Sequence, residues 1–112
     1  MAKFEQSVYG SFDAIVNTLD RDIQGSGLSV NLVDESDFRT GDTRVAVRVY
    51  DKYYARNSNR TSLSLTVVGT GNTVYVSAIG AGGGSGVFLN FSFGAESDFV
   101  YTVERSMRKM GF

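Results

Sequence analysis

The stretch Thr43-Arg44-Val45-Ala46-Val47-Arg48-Val49-Tyr50-Asp51-Lys52-Tyr53 decides the fold class. Its valines recur at every second position, and a period of two belongs to a strand with one face on a core and the other in water. On this reading Val45, Val47 and Val49 point inward. Arg44, Arg48, Tyr50 and Lys52 then stand on the polar face, where neighbouring strands add Ser64 and Tyr75.

The same period extends outward in both directions. Leu63, Leu65 and Val67 alternate with Ser62, Ser64 and Thr66, Gly69-Thr70-Gly71-Asn72 supplies hairpin-turn chemistry, and Val74, Val76 and Ala78 follow. Beyond Gly80-Ala81-Gly82-Gly83-Gly84-Ser85-Gly86, a further alternation runs through Val87, Leu89, Phe91 and Phe93. On the N-terminal side, residues 34–42 read as a polar connection, and Leu28, Val30 and Leu32 as a strand before it. Residues 3–9, with Phe4 and Val8 on one side, make a first short strand.

Two segments change the period to that of a helix. Ser11 is a suitable N-cap, Asp13 sits where the helix dipole favours an anion, and Phe12, Ile15, Val16, Leu19 and Ile23 share one face up to Gly25. Near the C-terminus, Ser97 as N-cap and Asp98 in the first turn open a helix. It carries Phe99, Val100, Val103, Met107 and Met110 inward, with Arg105, Arg108 and Lys109 before Gly111. The order is strand, helix, five strands, helix. It predicts a single α+β domain over residues 1–112: a two-layer sandwich whose six-stranded, mostly antiparallel sheet carries both helices on its apolar face.

Composition narrows the chemistry. The 112 residues contain no His, Cys, Trp or Pro. Without His the chain lacks the commonest general base and transition-metal ligand, and without Cys it lacks thiolate nucleophiles and sulfur metal sites. Ser-His-Asp and zinc-hydrolase chemistry are excluded, no metal or cofactor is expected, and the inventory leans against an enzyme. Eleven bases against twelve acids give a net charge of −1, so no overall field draws the chain to nucleic acid or to an anionic membrane. No apolar run has the length of a membrane span or a signal peptide, and the expected location is the cytoplasm. The lack of proline leaves sheet edges without their usual block, which favours a homo-oligomer.

Ser36-Asp37-Phe38, Gly41, residues 45–53, Asn59-Arg60-Thr61-Ser62-Leu63 and Phe93-Gly94-Ala95-Glu96 together resemble a family of small bacterial proteins of about 110 residues that is classed as a domain of unknown function. That resemblance implies a bacterial cytoplasmic protein and transfers no activity. The element order also resembles a reduced version of the helix-grip and TATA-binding-protein-like folds, in which a curved antiparallel sheet wraps a C-terminal helix. Some of those folds bind apolar ligands between sheet and helix. One strand and one small helix fewer than the full helix-grip pattern argue against a large cavity here.

Four features could carry a function. The glycine run at residues 80–86 leads into a strand and not a helix N-terminus, so it reads as a hairpin turn and not as a phosphate loop. The acids Asp20 and Asp22, and Asp34, Glu35, Asp37 and Asp42, lack the spacing of a calcium loop. The Arg44, Arg48, Tyr50 and Tyr75 face could hold a carboxylate or phosphate, stack single-stranded bases, or pack against another subunit. Phe88 breaks its strand's alternation and suggests a covered apolar patch. The leading expectation is a non-enzymatic interaction or small-ligand-binding protein that self-associates through its sheet. An enzyme using Asp37, Arg39, Arg48 and Tyr50, and a weak single-strand binder, are the alternatives.

Overall fold

The computed structural model describes residues 2–54, 59–82 and 93–112. Their order is β1 (Ala2–Tyr9), α1 (Phe12–Gln24), β2 (Val30–Thr40), β3 (Thr43–Tyr54), β4 (Asn59–Thr70), β5 (Thr73–Gly82) and α2 (Phe93–Lys109). The strands form one antiparallel sheet ordered β1-β5-β4-β3-β2. The α+β class and the meander are as the alternation predicts. The sheet has five strands among the described residues, not six. Residues 87–92 of the expected sixth strand, Phe88 included, lie outside the described residues, and Phe93 belongs to α2.

One layer of helices covers one face of the sheet. Ser11 caps α1 by accepting a hydrogen bond from the Ala14 amide at 3.2 Å, and Ile15, Val16, Leu19 and Ile23 are buried beneath it. From α2, Phe99, Val103 and Met107 are fully buried, in one core with Leu63, Leu65 and Val67 of β4 and Val74, Val76 and Ala78 of β5. The helix starts a full turn before the expected cap: Ser97 is an exposed residue within α2, not its N-cap. Glycine permits the close approach of the layers. A Cβ on Gly80 would lie 2.8 Å from Val100 Cγ2 and 2.9 Å from the Glu96 carbonyl oxygen, and one on Gly69 would lie 2.6 Å from the Phe12 ring. The run at residues 80–86 therefore begins inside a strand, where Gly80 is the seat of α2, and not at a turn.

Two further expectations are corrected. Residues 34–42 are no loop: β2 continues through them to a two-residue turn, where Gly41 has φ +56°. The turn between β4 and β5 is built alike, with Gly71 at φ +61°.

The second correction concerns β3, whose period is right and whose phase is inverted. Register places Ala46 opposite Val67, Arg48 opposite Leu65 and Tyr50 opposite Leu63, and directly paired residues share a face. Since those β4 partners are fully buried under the helices, Arg44, Ala46, Arg48, Tyr50 and Lys52 lie on the helix side. Val45, Val47 and Val49 point to the opposite face, which no helix covers among the described residues. The physical reason is that β4 and the strand beyond it, β5, contribute a stronger apolar surface than β3 does. The long polar side chains of β3 reach partners on α1 and β2 from beneath.

Candidate functional site

Each long polar residue on the covered face of β3 has a partner within the chain. Arg44 makes a two-point contact with Asp13 of α1 at 2.9 and 3.0 Å and lies 4.5 Å above the Phe12 ring. The guanidinium beside it holds the Asp13 carboxyl below its ordinary range. Tyr50, fully buried, donates to Asp20 of α1 at 2.6 Å, and Gln24 supports the same carboxylate at 3.1 Å. Burial, then the adjacent Asp20 charge, pushes the Tyr50 phenol far above its usual value. Lys52 donates to the Ser26 carbonyl at 3.1 Å and lies 5.6 Å from the Phe99 ring, with burial lowering its basicity.

Arg48 is held differently. Its Nε and Nη2 meet Glu35 at 3.2 Å and Asp37 at 3.1 Å, both on β2, while Nη1 donates to the Val47 carbonyl at 3.0 Å. Only 11% of the side chain is exposed. An incoming anion would have to displace an internal carboxylate from either arginine. The chemistry of this face is that of a clamp that ties β3 to α1 and to the edge strand.

The predicted site is therefore divided. Arg44, Arg48 and Tyr50 share the covered face, whereas Tyr75 and Ser64 project from the open one. There Tyr75 donates to Glu5 at 2.5 Å, which raises the phenol and lowers the carboxyl. Phe88 lies outside the described residues. Of the residues considered for an enzyme, Asp37 and Arg48 meet as an ion pair, and Asp37 and Arg39 line a shallow cleft of about 180 Å³ with Phe12 and Arg44. Tyr50 is buried away from that cleft.

The open face is the candidate interaction surface. Its rows follow from register: Phe38, Val45, Val68, Tyr75 and Ser7; then Ser36, Val47, Thr66, Ser77 and Glu5; then Asp34, Val49, Ser64, Ile79 and Lys3. Valines of β3 and Val68 alternate there with Thr66, Ser64 and Ser77, and charges sit on the edge strands and at the Asp51–Arg60 pair; Phe38 is 60% and Ile79 39% exposed. The register shift between Leu32 and Asp34 leaves Val33 57% exposed at the rim. Beside it a cup of about 410 Å³ is floored by Val33, Val49 and Ala81 and walled by the Asp51–Arg60 ion pair at 3.0 Å. Sequence reasoning missed this surface because it assigned the valines to the core. A usable signal was present: Thr40-Gly41-Asp42-Thr43 repeats the hairpin chemistry of Thr70-Gly71-Asn72-Thr73.

On the far side, between the helices, a polar cleft of about 200 Å³ is lined by Arg21, Asp22, Ser26, Arg105, Ser106 and Lys109. Ser106 donates to Asp22 at 2.6 Å, and this bond, aided by Lys109 and Arg21, holds the Asp22 carboxyl below its ordinary range. Among the described residues no cluster of three or more His, Cys, Asp or Glu is placed to hold a metal ion, and no helix is long and apolar enough to cross a membrane.

A family model described as a family of unknown function, DUF6054, matches residues 1–111 of the chain. No curated protein and no solved structure matches it.

Proposed function

Because the chain belongs to DUF6054, a family of unknown function, no activity passes to it from relatives, and we propose from the geometry that it is a non-enzymatic protein acting by self-association through the open face of its sheet. One observation carries this reading: the face that no described helix covers bears the valines of β3, with Val68, Ile79 and Phe38 around them, while Arg44, Arg48 and Tyr50 are spent under the helices. Apolar surface gathered on one side of a small domain gains free energy when a partner removes it from water.

The size is adequate. Five strands at about 4.8 Å and some eight residues at about 3.4 Å give a face of about 600 Å², close to the ~800 Å² per partner of a standard interface. A bacterial, cytoplasmic setting belongs to the same proposal. The cup beside Val33 favours a second reading, in which a small apolar molecule with one polar group docks against Arg60 and Asp51; copurification of such a molecule, seen in native mass spectrometry, would support it.

Sedimentation velocity tests the main reading. The wild-type chain should sediment as a dimer or larger, and Val47→Glu should be monomeric with an unchanged far-ultraviolet circular dichroism spectrum. A wild-type chain that is monomeric up to its highest soluble concentration overturns the proposal.

A further inference from the structure

We infer that the polar cleft between α1 and α2 binds the phosphate group of a small phosphate monoester, with Arg21, Arg105 and Lys109 as its cations. The site stands apart from the open-face reading. The helices lie on the other side of the sheet, so association through the open face leaves the cleft accessible.

Arginines elsewhere in the fold are answered closely. Arg44, Arg48, Arg60 and Arg108 each meet a carboxylate oxygen at 3.1 Å or less. In the cleft, three cations share one carboxylate. Asp22 lies 3.5 Å from Arg21 and 3.8 Å from Lys109, and its closest partner is the uncharged Ser106 hydroxyl at 2.6 Å. Arg105 has no carboxylate partner among the described residues; its guanidinium lies 5.8 Å from the Tyr101 ring. The cleft therefore carries an excess of two positive charges in a chain whose net charge is −1.

Helix dipoles account for part of this. Arg21 and Lys109 stand in the last turns of α1 and α2, where a cation is favoured. Arg105 lies a turn further back, beyond the reach of that effect, and its place beside the cleft has no such cause.

A phosphate monoester matches the excess, with about 1.5 to 2 negative charges near neutral pH, and guanidinium groups bind its oxygens in pairs. Small residues, Gly25, Ser26, Thr102 and Ser106, line the cleft and leave room for the anion between the helices. The cleft is about 200 Å³. Pockets for drug-sized ligands run to roughly 300–1,000 Å³, so the molecule that fits is smaller than these. Arg21 and Lys109 are exposed and can turn from Asp22 at little cost, because long surface ion pairs contribute little.

NMR titration with methyl phosphate tests the site. The amides of Ser26, Thr102 and Ser106 should shift saturably, with half-saturation below about 10 mM, within the range open to so small a ligand. Methyl sulfate has nearly the same shape and a single charge, and should bind about tenfold more weakly at equal ionic strength. Shifts that do not saturate, or equal affinity for the two anions, overturn the proposal. A phosphoserine peptide that binds more than about tenfold tighter than methyl phosphate would make the partner a phosphorylated protein and overturn the small-molecule assignment.

Variants separate a site from general charge. Arg105→Gln should weaken methyl phosphate binding by about tenfold with an unchanged thermal midpoint. Arg108→Gln, on the same helix but outside the cleft, should leave it within about twofold. Equal weakening by both means that net charge is being read, and removes the site. Asp22→Asn keeps an acceptor for Ser106 and deletes the one negative charge, so the folded variant should bind about threefold tighter or more. Weaker binding with an intact circular dichroism spectrum overturns the arrangement.

Discussion

The face of β3 beneath the helices carries Arg44, Ala46, Arg48, Tyr50 and Lys52; the face with no helix over it among the described residues carries Val45, Val47 and Val49. Polar groups can be buried because each finds a charged or carbonyl partner within the chain, and their aliphatic and aromatic stems still fill the core. Valines can be left outside only at a cost that a partner surface would relieve. Burial in this sheet is assigned by the face that β4 and β5 make apolar, and the pattern of β3 yields to it.

Substitutions on the two faces should therefore separate into effects on folding and effects on association. Tyr50→Ala removes a fully buried ring and leaves Asp20 without its phenol, and should cost about 3–5 kcal/mol in urea unfolding. Val49→Ala, next to it on the other face, should cost less than about 1 kcal/mol at concentrations where the chain is monomeric. Equal costs would erase the distinction between the faces.

Gly80→Ala sharpens the covered side further. Its methyl would meet Val100 and the Glu96 carbonyl at under 3 Å, so α2 must lift, at a cost of about 1–3 kcal/mol. Thermal unfolding checks this, and an unchanged midpoint would mean that the helix is not seated on Gly80.

Ser106→Ala should cost about 2 kcal/mol near neutral pH, the worth of a hydrogen bond to a charged group. The sign of its pH dependence is fixed by Asp22, whose folded-state value is depressed mainly by this bond. Stability from such a group is present above the carboxyl's unfolded value and lost as pH falls through the folded one. The gap between wild type and variant should accordingly close in acid, and NMR titration of Asp22 in the variant should show its value rising. A gap that stays constant into acid would remove the Asp22 linkage.

The smallest effect has the opposite sign. Thr61 is 1% exposed, on the covered face, and its hydroxyl has no hydrogen-bond partner among the described residues. Thr61→Val keeps the shape and relieves that penalty, so a gain of up to about 1 kcal/mol is expected in the same unfolding assay. A loss would show that the hydroxyl is used.

Much of the architecture was legible because local signals agreed. Ser11, Asp13 and the Ile15 to Ile23 face define α1 by capping, charge and period at once. The inversion of β3 was not legible, since Arg, Tyr and Lys look like surface residues until Asp13, Asp20 and Ser26 are known to lie above them. Residues 34–42 failed for a related reason. Their acids read as a solvated loop, whereas Glu35 and Asp37 are strand residues answering Arg48 across the ladder. Long-range partners decided each case, and spacing along the chain does not encode them.

The place of β1 in the sheet has a kinetic consequence. Strands β2 to β5 pair with their sequence neighbours, two of the joins being tight turns, whereas β1 finds β5 across an interval that sets Ser7 against Tyr75. Closing so long a loop is entropically slow and is rewarded only after β5 exists. The N-terminal strand is thus expected to dock late in refolding. Its outward residues Lys3, Glu5 and Ser7 close one side of the open face, so that surface is finished only when the monomer is complete. Assembly would then be deferred until folding has finished.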